Sequence, residues 1–207
     1  MRIISGQYKG RLIRMPKGIR PTQNKVRKAL FDILGDLEGL SFLELFAGSG
    51  AVGFEAVSRG VADLTLVEYN RDCLLAIRKN IESLRLKTCS FYPKEAAEAI
   101  KTLSKEDKKF DIIFMDPPYY QNKVPRLRFG LAATSDYDSL TKKTLQTLTR
   151  YDILTPNGFI VIQHFKKDNL PDTLGDLILF KQSKYADTKL SFYRKEANVE
   201  VKVKEKT

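Results

Sequence analysis

Residues 41–60 read SFLELFAGSGAVGFEAVSRG, and this stretch decides the fold. An apolar run, SFLELF, enters a loop with glycines at 48, 50 and 53, and a helical pattern then runs to Gly60. A buried strand, a glycine turn and a helix, in that order, open an α/β unit that can bind a ligand at the strand's carboxyl end. The pattern outward is of the same kind. DLTLVE (63–68), TCSFY (88–92), FDIIFM (110–115) and GFIVIQHF (158–165) read as strands. RDCLLAIRKNIESLRL (71–86), KEAAEAIKTL (94–103) and a segment within 138–154 read as helices. Short apolar strands alternating with helices predict an α/β fold with a mostly parallel sheet covered on both faces. GDLILFKQSKY (175–185) and TKLSFYRK (188–195), with a short turn at ADT, close it as an antiparallel hairpin.

Before residue 39 the pattern differs. Residues 2–14 read as two short strands around the turn GQYKG, and RPTQNKVRKALFDIL as a turn into a helix capped by Thr22 or Asn24. The expected organisation is an N-terminal extension at 1–38, a main domain at 39–197 and a frayed tail at 198–207. The connection over 120–138 is long for a strand-to-helix link, which marks it as functional or mobile.

Composition bounds the class. The chain has 207 residues, 43% hydrophobic and 29% charged, as a soluble one-domain protein with a real core would. No apolar run approaches the ~18 residues of a membrane span, and the N-terminus lacks an apolar signal core, so a cytoplasmic address is expected. Cys73, Cys89 and the lone His164 have no zinc-ligand spacing, so no metal is expected and the cysteines read as packing residues.

The charge is unevenly spread. Of a net +11, nine charges lie in residues 1–31, which hold Arg2, Lys9, Arg11, Arg14, Lys17, Arg20, Lys25, Arg27 and Lys28 and no acid. A basic block interleaved with isoleucine, leucine and tyrosine, on an otherwise near-balanced domain, points to a polyanion. Arg2, Lys9, Arg11, Arg14, Arg20, Lys25 and Arg27 are the expected nucleic-acid contacts.

Gly48, Gly50 and Gly53 fit G-x-G-x-x-G, with Glu68 twenty residues after Gly48, so a dinucleotide is one reading of the loop. Glu44 argues against it. An acid four residues before the loop repels a pyrophosphate, whereas S-adenosylmethionine has no phosphate but carries an ammonium and a sulfonium. Glu68, at the tip of the next strand, suits two ribose hydroxyls.

MDPPYYQ (115–121) then ends the strand FDIIFM. Proline cannot extend a central strand, and a carboxylate at a buried tip needs a partner. Methylation of an exocyclic amine on a base supplies one. That nitrogen's lone pair is delocalised into the ring, and acceptors that draw on its hydrogens localise it. Asp116 offers a carboxylate, Pro117 a backbone carbonyl held by Pro118, and Tyr119 a face on which a base can stack.

LELFAGSGAVGFEAVSRG, DPPY, the leading MRIISGQYKGR, RPTQNKVRKALFDIL and the trailing KYADTKLSFYR together resemble the bacterial RsmD family of 16S ribosomal RNA guanine-N2 methyltransferases. The resemblance covers nearly the whole chain. The glycine loop and DPPY are common to many amino-methyltransferases, and the two terminal segments are the specific part. It implies a Rossmann-like class I fold with seven strands, S-adenosylmethionine as donor, and an N-terminal RNA-binding extension. It also implies a substrate in assembled or partly assembled small subunits. The protein is expected to be a monomer. Carried over by position, Glu44, Phe46, Gly48 and Gly50 line the donor site, with Glu68 on the ribose. Asp116, Pro117 and Tyr119 form the catalytic set. Where the family has an aspartate for the adenine amino group, this chain reads YPKEAA, and Glu95 is the substitute. The segment after DPPY is longer than the family's, and its KVPRLRFG adds positive charge. Alternatives left open are a DNA adenine-N6 methyltransferase and an inactive nucleic-acid-binding relative.

Overall fold

In the computed structural model, residues 1–16, 24–118 and 136–196 are described, with side chains from 140 onward in the last segment. Strands β1 (Ser41–Leu45), β2 (Asp63–Glu68), β3 (Cys89–Pro93), β4 (Phe110–Met115) and β5 (Leu154–Phe165) form the parallel part of the sheet. Their apolar runs are nearly unbroken because both faces are covered. Helices α1 (Asn24–Leu34), α2 (Ala51–Ser58) and α3 (Arg71–Leu84) contribute to one face, where Leu30, Phe31, Phe54 and Ile77 pack with Phe42, Leu64 and Phe114. Helices α4 (Ala96–Lys105) and α5 (Asp136–Arg150) cover the other, where Ile100, Leu103 and Leu145 meet Leu43, Ile113 and Ile160. Two apolar layers sharing one sheet make the usual three-layer α/β solution.

The sheet order is β3-β2-β1-β4-β5-β8-β7-β6, with β6 (Thr173–Leu174), β7 (Leu177–Tyr185) and β8 (Thr188–Lys195) antiparallel. The chain leaves β1 towards β2 on one side and returns as β4 on the other. A crevice therefore opens at the carboxyl ends of β1 and β4, where open α/β sheets take ligands. Among the described residues the sheet has eight strands where seven were expected. The addition is β6, a two-residue edge strand formed where the chain folds back before β7. Strand β5 also begins earlier than GFIVIQHF, and its register with β4 is irregular between Phe110 and Ile112.

Residues 1–16 do not form the two short strands read from the sequence. They make one antiparallel bridge, Arg2 with Leu12. Beside it Ile3 N donates to Arg11 O, Gly10 N to Ile3 O and Ile13 N to Met1 O, and part of the remaining backbone is captured by α2. The amides of Ile4 and Ser5 donate to the two Glu55 carboxylate oxygens at 2.7 and 3.0 Å, and Tyr8 N donates to Ser58 Oγ at 2.9 Å. Gly6 comes so close to the Ser58 carbonyl that an added Cβ would lie 1.6 Å from it. Ile3 and Ile13 are buried in the same core cluster as Phe42. Among the described residues no helix is long and apolar enough to cross a membrane.

Candidate active site at the strand tips

Phe46 leaves β1 with φ +58, and Gly48 and Gly50 follow at φ +56 and +74. A left-handed conformation costs little for glycine but about 1–3 kcal/mol for a bulky residue such as Phe46. The loop is therefore held from outside. Ala47 N donates to Val67 O at 3.0 Å, and Gly48 N to Glu68 Oε2 at 2.8 Å. Gly53 is needed for a different reason. A Cβ there would sit 2.7 Å from Leu64 Cδ1 and 2.8 Å from Glu44 Oε2, so α2 can lie against the sheet only with glycine at that position. At Gly48 an added Cβ would meet nothing within 4 Å, so there the backbone itself faces open space.

The two loop acids are placed as the sequence predicted, at neighbouring strand tips, but both are already engaged. Glu44 is 3% exposed, and its Oε2 accepts from Gly53 N at 2.8 Å in the first turn of α2. Burial pushes its carboxyl up to about 8; the amides of Gly53 and Val52 pull the other way, and the charges of Asp116 and Glu68 add to the rise. Near pH 7 it is therefore mostly protonated, and beneath the loop it offers a polar group rather than a full negative charge. Glu68 Oε1 accepts from Tyr69 N and Asn70 N, both at 2.8 Å, while Oε2 holds Gly48. A carboxylate has about four acceptor sites, so a ribose hydroxyl has to take the remaining one or share. Phe46 is half-buried against the α4 side of the core. Glu95 is exposed at the N-cap of α4, just past the tip of β3, with no side-chain bond to the helix.

Asp116 follows β4 directly, on the same face of the sheet as Glu44. Its Oδ2 accepts from Gln163 Nε2 at 2.8 Å, and Pro117 behind it is buried. Gln163 was not singled out from the sequence, although one glutamine in the run FIVIQHF is the visible signal. The next residue, His164, points to the opposite face, where its Nε2 lies 2.7 Å from Ser191 Oγ. Burial lowers its pKa to about 4, so it is neutral near pH 7 and apart from the site. Tyr119 lies outside the described residues. Burial raises the Cys73 and Cys89 thiols to about 12, so neither is a ready nucleophile. Among the described residues there is no cluster of His, Cys, Asp or Glu fit for a metal.

The basic set divides. Arg2, Lys9, Arg11, Arg14 and Lys25 are exposed, and Arg20 lies outside the described residues. Arg11 and Arg14 run beside α3, with Arg11 Nη2 donating to Ser83 O at 2.7 Å. Arg27 corrects the expectation. It is 0% exposed, 3.8 Å from Glu55, and its Nη2 donates to Arg2 O at 2.6 Å. It ties the extension to α2 and presents nothing to phosphate. Asn80, another residue the sequence reading passed over, links the extension to the glycine loop. Its Oδ1 accepts from Arg14 N at 2.8 Å, and its Nδ2 donates to Arg14 O and Ser49 O at 3.1 and 3.0 Å.

Comparison with known proteins places the chain as a whole. YlbH of Bacillus subtilis (strain 168), named as a candidate rRNA methyltransferase, is 33% identical over 94% of this chain and 99% of its own length. Ribosomal RNA small subunit methyltransferase D of Escherichia coli (strain K12) is 28% identical over 97% of this chain and 92% of its own. The solved structure of yhhF from Escherichia coli, described as a methyltransferase candidate, superposes with a TM-score of 0.75 at 26% identity, covering 95% of this chain and 98% of that one. The fold is thus the Rossmann-like one of S-adenosylmethionine-dependent methyltransferases. The profile of the family described as conserved hypothetical protein 95 matches residues 1–194, terminal segments included, and the chain belongs to that family, the RsmD family.

Proposed function

We propose that this protein transfers a methyl group from S-adenosylmethionine to the exocyclic N2 of a guanine in 16S rRNA of the small ribosomal subunit. The observation that carries the reading is the placement of Asp116. It sits at the tip of β4 in the switch-point crevice, anchored by Gln163, next to a glycine loop whose own acids are turned inward. The names of relatives such as the Escherichia coli small subunit enzyme support an rRNA substrate for this chain.

The residues fit the donor. The loop offers backbone at Gly48 without a side chain in the way, Glu68 lies beside it at the tip of β2, and Glu44 puts acid beneath it rather than the positive potential a pyrophosphate requires. Phe46, Gly48, Gly50, Glu68 and Glu95 would hold it, and it supplies the methyl group when bound. No metal is needed, because the nucleophile is a neutral amine that needs orientation and acceptors rather than a Lewis acid.

Asp116 accepts a hydrogen from the guanine amino group, and the interaction strengthens as the nitrogen becomes tetrahedral. The Pro117 carbonyl is the second acceptor, and Tyr119 stacks on the base. Exposed Arg2, Lys9, Arg11, Arg14 and Lys25, together with Arg20, grip phosphate, which positions the RNA without reading sequence. The protein works as a monomer in the cytoplasm, where small subunits assemble.

The test is transfer of labelled methyl into small subunits, naked 16S rRNA and DNA, with mass mapping of the product nucleoside. N2-methylguanosine in 16S rRNA is the expected product. N6-methyladenine in DNA would replace this reading by the DNA alternative, and donor binding without transfer to any of the three would replace it by the inactive relative.

A further inference from the structure

Gln163 has features that packing alone does not explain. It lies in the buried run Ile160–His164 of β5 and is 5% exposed. The parallel register sets Met115 of β4 against Ile162 of β5, which brings the next residues of the two strands, Asp116 and Gln163, side by side. Gln163 Nε2 donates to Asp116 Oδ2 at 2.8 Å, a charge-assisted bond when the carboxylate is ionised. That bond fixes the amide's orientation, because the flipped rotamer would set carbonyl oxygen against carboxylate oxygen.

The other end of the amide is the second observation. Gln163 Oε1 is buried and has no hydrogen-bond partner among the described residues. A buried carbonyl without a donor costs stability, and leucine or methionine would fill this space without that cost. The glutamine is therefore kept for what its amide N–H does, and the N–H has one described partner, Asp116.

We propose that Gln163 is a positioning residue: its amide clamps the Asp116 carboxylate in the orientation from which it accepts the hydrogen of the substrate amine. The proposal rests on the function given above. A carboxylate has two side-chain torsions, and the amide favours the rotamer that keeps the acceptor in the line of the N–H bond. The clamp acts before substrate arrives, so it affects the rate of the chemical step and not the affinity for donor or RNA.

The test uses Gln163→Met, which keeps the shape and loses the donor, and Gln163→Glu, which sets an acceptor against Asp116. Single-turnover methyl transfer on saturated small subunits is expected to fall about 10-fold for Gln163→Met and further for Gln163→Glu. Donor and RNA dissociation constants should stay within about twofold of the wild type's for Gln163→Met. In an Asp116→Ala background Gln163→Met should cost nothing more, because its effect passes through the carboxylate. A Gln163→Met rate within about twofold of wild type overturns the proposal, and so does a loss that persists undiminished in the Asp116→Ala background. If wild-type protein modifies no guanine, the function has failed rather than the clamp. The side-chain amide resonance of Gln163 then decides: a large shift on Asp116→Asn supports the clamp, and an unmoved resonance overturns it.

Discussion

The two pairs of strand tips that flank the switch point are built in opposite ways. At the tips of β1 and β2 the acids are occupied by backbone: Glu44 by Gly53, and Glu68 by Gly48, Tyr69 and Asn70. At the tips of β4 and β5, Asp116 accepts from the side-chain amide of Gln163, and the far end of that amide meets no donor among the described residues. The first pair fixes a shape, a loop with Phe46 in a costly conformation and Gly48 open to a ligand. The second keeps polar capacity, which on the proposed function draws on the substrate amine. On the function proposed above, binding falls to the backbone-held tips and chemistry to the side-chain pair.

The largest effect expected from this division is at Asp116. Asp116→Ala should lose ~100-fold or more in the chemical step, by analogy with removal of one preorganised electrostatic partner, while titration calorimetry finds donor affinity unchanged. Asp116→Asn keeps an acceptor oxygen and should retain partial activity.

Glu68→Ala should do the reverse. It should weaken S-adenosylmethionine by ~1.5–3 kcal/mol, the range for hydrogen bonds to a charged group. Part of that loss comes from releasing Gly48. NAD should show no measurable binding in the same calorimeter. Tight NAD binding with no donor binding would break the comparison at its first pair.

Glu44 sharpens the same side through pH. Its carboxyl is raised from 4.5 to about 8 in the folded protein, so the native state holds more protons than the unfolded chain between those values. The stability it contributes is full below about 4.5 and is lost as pH rises through about 8. Glu44→Gln removes that slope. Thermal midpoints at pH 6 and pH 9 should therefore fall more steeply for wild type than for the variant. Equal slopes would mean that Glu44 stays ionised beneath the loop.

The smallest effect lies away from the tips. Replacing Arg2, Lys9 and Arg11 together should flatten the salt dependence of RNA binding by ~0.7–0.9 log units per lost phosphate contact, with donor affinity unchanged. An unchanged salt slope would make the basic block a solvated face.

Much of this was legible in the sequence for local reasons. A glycine loop after an apolar strand, and an acid followed by two prolines after another, are signals within a few residues, and the alternation of elements then fixes that both reach one edge of the sheet. Long-range pairs were not legible. Arg27 reads as one more base in a basic block, and only its contact with Glu55 in α2 shows that it is buried. Gln163 depends on a partner 47 residues earlier, and Asn80 on Arg14, 66 residues away. The N-terminal strands were overread for a related reason. The turn GQYKG suggests a ladder, and Ile3 with Arg11 and Ile13 with Met1 begin one, but the amides of Ile4, Ser5 and Tyr8 go to the carboxylate of Glu55 and the hydroxyl of Ser58 instead of extending it. Tyr119 and Arg20 lie outside the described residues, and their roles rest on the family resemblance and the basic pattern.

The division of labour between the tips is tested most directly by one crossed measurement. Single-turnover methyl transfer into saturated small subunits is followed for wild type, Asp116→Ala and Glu68→Ala over a range of donor concentrations. The account predicts that Glu68→Ala recovers to near the wild-type rate once donor saturates, whereas Asp116→Ala stays ~100-fold or more slower at every concentration. An Asp116→Ala protein that reacts at the wild-type rate would contradict it, because the carboxylate at the tip of β4 would then be structural and the chemistry would lie elsewhere.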